Sequence, residues 1–154
     1  MAAAPRPYTK AEVAFATPII QVMSRLNTWV YRATNGRLGG RFLRGAPVLL
    51  LTTTGRKSGA RRVAPLIYVR DGERIVVIAS QGGMDHHPQW YRNLVAHPDV
   101  EVQIGAEVRP MRARTASREE KAALWPQAVA VYRDYDDYQA RTARDIPVVV
   151  LEPR

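Results

Sequence analysis

Residues 48–62 read VLLLTTTGRKSGARR and decide the fold of this chain. The run 48–54 is apolar and rich in β-branched residues, which predicts a short buried strand. A turn with glycine at both ends, Gly55 to Gly59, follows directly, and residues 62–70 resume the strand pattern. Two strands joined by so short a turn pair in antiparallel fashion, so the segment predicts one corner of an antiparallel sheet.

The strand pattern continues on both sides of further turn signals. Asp71-Gly72 is a strong hairpin signal that leads into a strand over 74–80. Pro65 cannot donate a ladder hydrogen bond, so its strand is an edge strand or carries a bulge there. We expect another strand pair, 99–104 and 108–114, around Gly105, and a closing strand over 146–151.

Helix signals precede and separate these strands. Thr9 and Glu12 have capping-box spacing, and Thr17-Pro18 reads as a second N-cap, so we predict two consecutive N-terminal helices that stop near Asn35-Gly36. A short helix begins near Pro88, and a long helix spans 118–132 with a kink at Pro126.

The element order predicts an α+β fold, in which a mostly antiparallel sheet curls into a barrel with flanking helices. We divide the chain into an N-terminal helical segment, 1–36, which carries an amphipathic helix, and a barrel domain, 37–154.

Composition limits the classes of protein. With 154 residues, 46% hydrophobic and 24% charged, the chain is long enough for one globular core. The absence of cysteine excludes disulfides, thiolate nucleophiles and thiolate metal sites. Because no apolar run approaches the ~18 residues of a membrane span, and the start lacks the order of a secretory signal, we expect a cytoplasmic protein.

The charge indicates an anionic partner. Lys and Arg number 23 against 14 Asp and Glu, a net charge of +9, and four cations fall within residues 56–62. The candidate partners are nucleic acid, acidic lipid and a small ligand that bears phosphates and carboxylates. The alternative is that the basic turn is only a solvated hairpin tip. The turn joins two strands, so it is not a P-loop. The cluster is short and lacks interleaved aromatic residues, so we expect no nucleic-acid partner.

Three other stretches are candidates for chemistry. Residues 80–83, Ser-Gln-Gly-Gly, offer free N–H groups and a hydroxyl to a planar ligand, or form a plain turn. The stretch 85–87, Asp-His-His, is not predicted to bind metal, because adjacent histidines point in different directions. The tyrosines at 132, 135 and 138 form a stripe if helical, and they line a pocket or pack on the barrel.

Taken in order, several motifs resemble the deazaflavin-dependent nitroreductase family of actinobacteria. They are MSRLNTW at 23–29, LTTTGRKSG at 51–59, RVAPL at 62–66, ASQGG at 79–83, HPQWYRNL at 87–94, YDDYQ at 135–139 and IPVV at 146–149. The resemblance implies a split β-barrel that binds coenzyme F420, a deazaflavin with a phosphodiester and a polyglutamate tail. It also implies hydride transfer from the reduced deazaflavin to a planar acceptor, namely a quinone, an activated enone or a nitroaromatic compound.

The resemblance also implies a site. The implied cofactor contacts fall on the basic turn, the neighbouring strand ends, the short helix and the tyrosine stretch: Thr54, Gly55, Arg56, Lys57, Arg62, Pro65, Ala79, Ser80, Gln81, Gly82, Trp90, Tyr91, Asn93 and Tyr135. For catalysis, Ser80 would donate a hydrogen bond to developing charge. The substrate pocket would be bordered by Tyr132, Tyr135 and Tyr138.

Two positions depart from the family member that reduces bicyclic nitroimidazoles. Ile67 stands where that relative has a tyrosine, and strand alternation places Tyr68 on the opposite face. Gln81 replaces a lysine, which removes one charge. We therefore expect reduction of quinones or enones and weak reduction of bicyclic nitroimidazoles.

The apolar stripe of the N-terminal helix, from Phe15 to Trp29 or Val30, has two interpretations. We favour packing on the barrel or over the pocket. The alternative is peripheral contact with the inner face of the cell membrane, which the resemblance suggests and which would suit quinone substrates. A non-catalytic F420 carrier and a split-barrel oxidase that uses flavin mononucleotide (FMN) also stay open at this stage.

Overall fold

A closed six-stranded barrel forms the body of the protein. The computed structural model describes residues 5–42 and 45–154, and there the strand order is β1-β2-β3-β6-β5-β4. All the pairings are antiparallel, as predicted, and β1 closes the barrel against β4. The strands are β1 (Val48–Thr54), β2 (Arg61–Asp71), β3 (Arg74–Ile78), β4 (Asp99–Ile104), β5 (Glu107–Thr115) and β6 (Val148–Pro153). The last strand therefore begins and ends two residues later than the sequence indicates.

The first strand is buried on both faces. Leu49 and Leu51 point into the barrel, where they join the main apolar cluster, while Val48 and Leu50 pack outside the barrel against Tyr31. This double burial explains why β1 is a continuous apolar run rather than an alternating one.

Proline occupies an open edge of β2. Pro65 lies opposite Leu50 of β1, whereas β2 pairs with β3 only from Tyr68 onward. The first half of β2 therefore has one partner strand, and the prediction of an edge at Pro65 is confirmed. Tyr68 belongs to the cluster inside the barrel and Ile67 packs against clusters outside it, so the predicted alternation is also confirmed.

Four α-helices surround the barrel in the described ranges: α1 (Lys10–Thr34), α2 (Gln89–Ala96), α3 (Arg118–Val131) and α4 (Asp134–Arg141). The prediction of two N-terminal helices is wrong. One helix runs through Pro18, and Thr17 does not cap a new helix: its hydroxyl donates to the Val13 carbonyl of the preceding turn, 2.6 Å away. The predicted capping box at Thr9 and the end at Asn35 are confirmed.

A single tyrosine ties α1 to the barrel. Tyr31 is 1% exposed; its hydroxyl accepts from the Gly105 N–H at 2.8 Å and donates to the Gln103 carbonyl at 3.3 Å. Burial raises the pKa of this phenol. The hydroxyl thus satisfies two backbone groups at the β4–β5 turn, which fixes the C-terminal end of α1.

The apolar stripe of α1 faces outward, contrary to our favoured interpretation. Phe15 is 75% exposed and Trp29 69%, and the rest of the stripe is also exposed: Ile19, Val22, Met23 and Leu26. The opposite face of α1 is turned toward the barrel: Tyr31 packs on Val48 and Leu50, while Ser24 and Thr28 line a cleft. None of the described helices meets the length and hydropathy of a membrane span.

Helix α4 packs closely on the connection between β3 and α2. A Cβ added to Gly83 would lie 2.7 Å from the Tyr138 carbonyl oxygen, and Gly83 has φ +81°. Gly59, in the basic turn, has a similar φ of +70° but open space around it. Alanine at Gly59 therefore measures the cost of a left-handed backbone alone, and alanine at Gly83 measures that cost together with a steric clash.

We expect Gly83→Ala to lower the free energy of unfolding by about 2–4 kcal/mol, because it adds a steric clash to a left-handed φ. Gly59→Ala, with the φ cost alone, should lose about 1–2 kcal/mol. Urea unfolding of both variants checks this. Equal losses would show that α4 does not pack on this connection.

Candidate active site

A cleft of about 790 Å³ lies between α1, the turn after β1, the start of β2 and α2. From the barrel side it is lined by the basic turn at Gly55–Ser58, and from the helix side by Gln21, Ser24 and Thr28. Gln81 and Trp90 also line it. The cleft therefore combines a charged end with a partly apolar wall, the usual character of a site for a large polar ligand.

The lining of the cleft carries five cations and no acidic side chain: Arg25, Arg56, Lys57, Arg61 and Arg62. Arg61 is paired outside the cleft with Glu101, at 3.0 Å. The side chains of Arg25, Lys57 and Arg62 have no hydrogen bond or ion pair to any residue in 5–42 or 45–154. Three uncompensated cations converge on one cleft, which makes it an anion-binding site in electrostatic terms.

The backbone of the basic turn is closed by its own hydrogen bonds. The Gly55 N–H donates to the Ala60 carbonyl at 2.7 Å, and the Gly59 N–H donates back to the Gly55 carbonyl at 2.8 Å. The Ser58 hydroxyl accepts from the Ala60 N–H at 3.1 Å. These bonds leave the side chains of Arg56 and Lys57 on the cleft side of a fixed turn.

Asn93 links α2 to both β1 and the basic turn. Its side chain is 4% exposed; Nδ2 donates to Thr53 Oγ1 at 3.3 Å, and Oδ1 accepts from the Arg56 backbone N–H at 3.2 Å. The Arg56 guanidinium adds bonds to the Asn93 and Gln89 side-chain oxygens. One buried amide thus sets the position of the cationic turn relative to the helix.

The structure brings half of the predicted cofactor residues into the lining of the cleft: Gly55, Arg56, Lys57, Arg62, Gln81, Trp90 and Asn93. Thr54, Pro65, Ser80 and Gly82 each adjoin a lining residue along the chain.

Two further predicted residues lie deeper or elsewhere. Ala79 is fully buried next to Ser80. Tyr91 turns away from the cleft, and its hydroxyl lies 2.9 Å from that of Thr115. Neither residue lines the cleft.

The three predicted catalytic tyrosines form a cluster outside the barrel. Tyr132 and Tyr135 are about 5% exposed or less, and the hydroxyls of Tyr132 and Tyr138 lie 3.1 Å apart. Burial raises the pKa of all three phenols. None of them lines the cleft, so their place beside a substrate stays a prediction.

Sequence reasoning missed two contributions. One is the inner face of α1, whose polar residues Gln21, Ser24 and Thr28 follow helical spacing opposite the apolar stripe; that spacing was a usable signal. The other is Arg144, whose guanidinium donates to the carbonyls of Ala79, Ser80 and Met84. Backbone acceptors carry no sequence signature, so no motif indicated it.

Comparison with known proteins assigns the family. The F420H(2)-dependent quinone reductase profile matches residues 23–153. One Mycobacterium tuberculosis protein whose name places it among these reductases is 49% identical over 118 residues, 77% of this chain and 99% of its own. A second one, named F420H(2)-dependent quinone reductase, is 42% identical over 133 residues, 84% of this chain and 89% of its own.

A solved structure agrees. The F420-H2 dependent reductase FDR-A is 44% identical, with a TM-score of 0.65, over 69% of this chain and 94% of that one. This chain belongs to the F420H(2)-dependent quinone reductase family, and it is therefore an oxidoreductase whose cofactor is coenzyme F420. The predicted split-barrel fold and cofactor are confirmed.

The residues present fit this cofactor. Its phosphodiester and carboxylate tail need several cations without competing acids, which the cleft lining provides. Gly55 also lines the cleft; a Cβ there would lie 2.8 Å from the Ser58 hydroxyl, so glycine lets the turn close on itself beside the cations.

We expect Asn93→Ala to lower the free energy of unfolding by about 1–3 kcal/mol, because it leaves the Arg56 N–H in a part-buried site without its acceptor. Gln89→Ala is the matched control, since Gln89 also bonds Arg56 but is exposed, and it should cost less than about 0.5 kcal/mol. Chemical unfolding monitored by circular dichroism measures both. If the two variants lose the same free energy, Asn93 does not hold the turn.

Proposed function

We propose that this protein binds reduced coenzyme F420 in the cleft between α1 and the basic turn and reduces a quinone there. The observation that carries the proposal is the set of five cations, with no acid, in the lining of one cleft of about 790 Å³. Family membership supports the same cofactor and the same class of acceptor. When bound, the reduced cofactor supplies the hydride.

The cationic end of the cleft holds the acidic part of the cofactor in this proposal. Lys57 and Arg62 are exposed and unpaired by any described residue, so they exchange water for phosphate or carboxylate oxygens at little cost. Arg56 differs, because its guanidinium is already bonded to Asn93 and Gln89. We therefore assign Arg56 to shaping the turn as well as to charge, and Lys57 and Arg62 to charge alone.

Ser80 and Gln81 serve the other end of the cleft. Gln81 lines it, and Ser80, which is half-buried, precedes Gln81 in the chain. We propose that the Ser80 hydroxyl donates a hydrogen bond to charge that develops during the reduction. The proton that completes quinone reduction comes from water or from a tyrosine. Burial raises the pKa of the Tyr138 phenol, so that hydroxyl is protonated at neutral pH.

The experiment is a titration of the purified protein with coenzyme F420 and, separately, with FMN, followed by oxidation of reduced F420 with menadione. We expect binding of F420 well above that of FMN, whose single phosphate uses fewer of the cations, and turnover with menadione. Bicyclic nitroimidazoles should turn over more slowly, since Ile67 lacks a hydroxyl. Binding without turnover would make the protein a carrier, and preference for FMN would make it a flavin enzyme.

Variants locate the acidic part of the cofactor. Lys57→Ala should weaken binding of long-tailed F420 about tenfold or more, because it removes one charge-assisted contact of about 1.5–3 kcal/mol. Arg112→Ala is the control, since Arg112 lies on β5 away from the cleft. If the dissociation constants of the two variants agree, the tail lies elsewhere.

We also propose that the outer face of α1 contacts an anionic membrane surface, where quinones partition. The apolar stripe from Phe15 to Trp29 is exposed along several turns, and the exposed Arg32 near the end of the helix is available to headgroups. The same helix lines the cleft with its inner face. Lipid contact would therefore place the cleft near the layer that holds the acceptor.

Sedimentation with phosphatidylglycerol vesicles tests this contact. The double variant Leu26→Gln, Trp29→Gln should lose at least tenfold in partitioning, because two exposed apolar side chains are worth about 1.5–3 kcal/mol each when buried. The control replaces Val95 and Val108, two exposed apolar residues outside α1, with glutamine. Equal partitioning of the two double variants would refute lipid contact. So would a dimer that only the α1 variant disrupts, because the stripe would then be covered by a second copy.

A further inference from the structure

The connection between β3 and α2 has an unfavourable backbone. Gln81 has φ +46°, followed by Gly82 at +62° and Gly83 at +81°. A left-handed φ is costly for a residue with a side chain, so Gln81 needs support from its surroundings. The connection itself supplies two short-range bonds, from the Gly83 N–H to the Ser80 carbonyl at 2.9 Å and from the Met84 N–H to the Gln81 carbonyl at 3.1 Å.

Arg144 supplies much of that support from a distant part of the chain. It lies between α4 and β6, and its Nη2 donates to the Ser80 carbonyl at 2.7 Å. Its Nη1 donates to the Ala79 carbonyl and its Nε to the Met84 carbonyl, both at 3.1 Å. One planar group therefore holds the start and the end of the connection at a fixed separation.

A fourth bond adds the entry to α2. Arg144 Nη1 also donates to His87 Nδ1 at 2.9 Å, so that nitrogen carries no proton and the imidazole is neutral. Burial and the neighbouring cations Arg144 and Arg92 lower the pKa of His87, which favours this form. Four of the five guanidinium N–H donors thus point to atoms of residues 79–87.

Arg144 bonds dipoles and not a carboxylate. Across the described ranges it has no ion pair within 4.0 Å; burial lowers its pKa, and the charge of Asp85 opposes that shift without a direct contact. A part-buried cation whose acceptors are carbonyls and an imidazole gains no stability from a contact ion pair. Its hydrogen bonds instead orient every group that accepts them. This arrangement is a brace for the backbone.

We propose that Arg144 is a positioning residue for quinone reduction, which sets the Ser80–Gln81 backbone against the cleft. The inference rests on the proposed function, because that function assigns Ser80 and Gln81 roles in the cleft. Arg144 itself touches neither substrate nor cofactor; it acts through the two residues whose backbone it holds. Loss of the brace lets Ser80 move, and a displacement of about 1 Å is enough to cost up to ~100-fold in rate.

The cationic end of the cleft is held by other contacts. Asn93 and the bonds within the turn fix Arg56 and Lys57, and Arg144 bonds none of these residues. The brace and the anion grip are therefore separable by mutation. A positioning role predicts that the rate constant falls while cofactor affinity stays nearly unchanged.

The test compares Arg144→Lys and Arg144→Met with Arg114→Met. Lysine keeps the charge but cannot span three carbonyls. Arg114 is the matched control, because it bonds Glu120 and Glu152 on the outside of the barrel, away from the cleft. The measurements are amide hydrogen exchange of the protein without cofactor, the dissociation constant for F420, and kcat and KM with menadione.

We expect both Arg144 variants to exchange the Gly83 and Met84 amides at least tenfold faster, with barrel amides unchanged. With cofactor, kcat should fall about 10- to 100-fold while the F420 dissociation constant changes less than threefold. The control should leave all three quantities near wild type. Two alanine variants add a rescue test. Guanidinium ion in solution should partly restore kcat in Arg144→Ala, and it should leave kcat of Arg114→Ala unchanged.

Two results would overturn the proposal. One is exchange of the Gly83 and Met84 amides that matches the control; the other is faster exchange of all barrel amides, which would make Arg144 a general stabilising residue. Failure of the wild-type protein to reduce menadione would instead refute the proposed function. The hydrogen-exchange measurement would still decide whether Arg144 braces the connection.

Discussion

The antiparallel pairing of β1 with both β2 and β4 is the constraint on which the rest of the structure depends. It closes the barrel at Leu50–Thr52, and side-chain alternation then assigns each residue of β1 to the interior or to the underside of α1. The end of β1 leaves the barrel at a fixed place, where Asn93 joins the following turn to α2. The position of the cationic cluster is therefore a property of the barrel and not of a flexible loop.

Much of this could be predicted from local rules. Strands with one wet face or two buried faces have distinct patterns, and Asp71-Gly72 and Gly105 mark turns that few other sequences permit. Pro65 indicated an open edge because proline cannot donate to a ladder. The basic turn was found for a similar reason, since charge concentrated between two strands has no structural use in a core.

The remainder depends on contacts that a pattern does not encode. An amphipathic stripe shows which face of α1 is apolar, but it does not show which face meets the barrel; here a buried tyrosine and small polar residues meet it instead. The stripe of three tyrosines is compatible with a pocket wall and with packing on the barrel, and its spacing does not choose; in the structure Tyr132 and Tyr135 are buried in the cluster outside the barrel. Arg144 acts on carbonyls about sixty positions away in the chain, where any residue type offers the same acceptor.

Helix α1 presents one face to the cleft and the other to solvent, and Tyr31 fixes it at one end. Binding on the two faces of this helix is therefore thermodynamically linked. A partner that binds the outer face and displaces the helix changes the affinity of the cleft for its ligand, and the ligand must change the affinity of the outer face by the same factor. The bound reduced cofactor and a surface that binds the outer face of α1 would then change each other's affinity through this one helix.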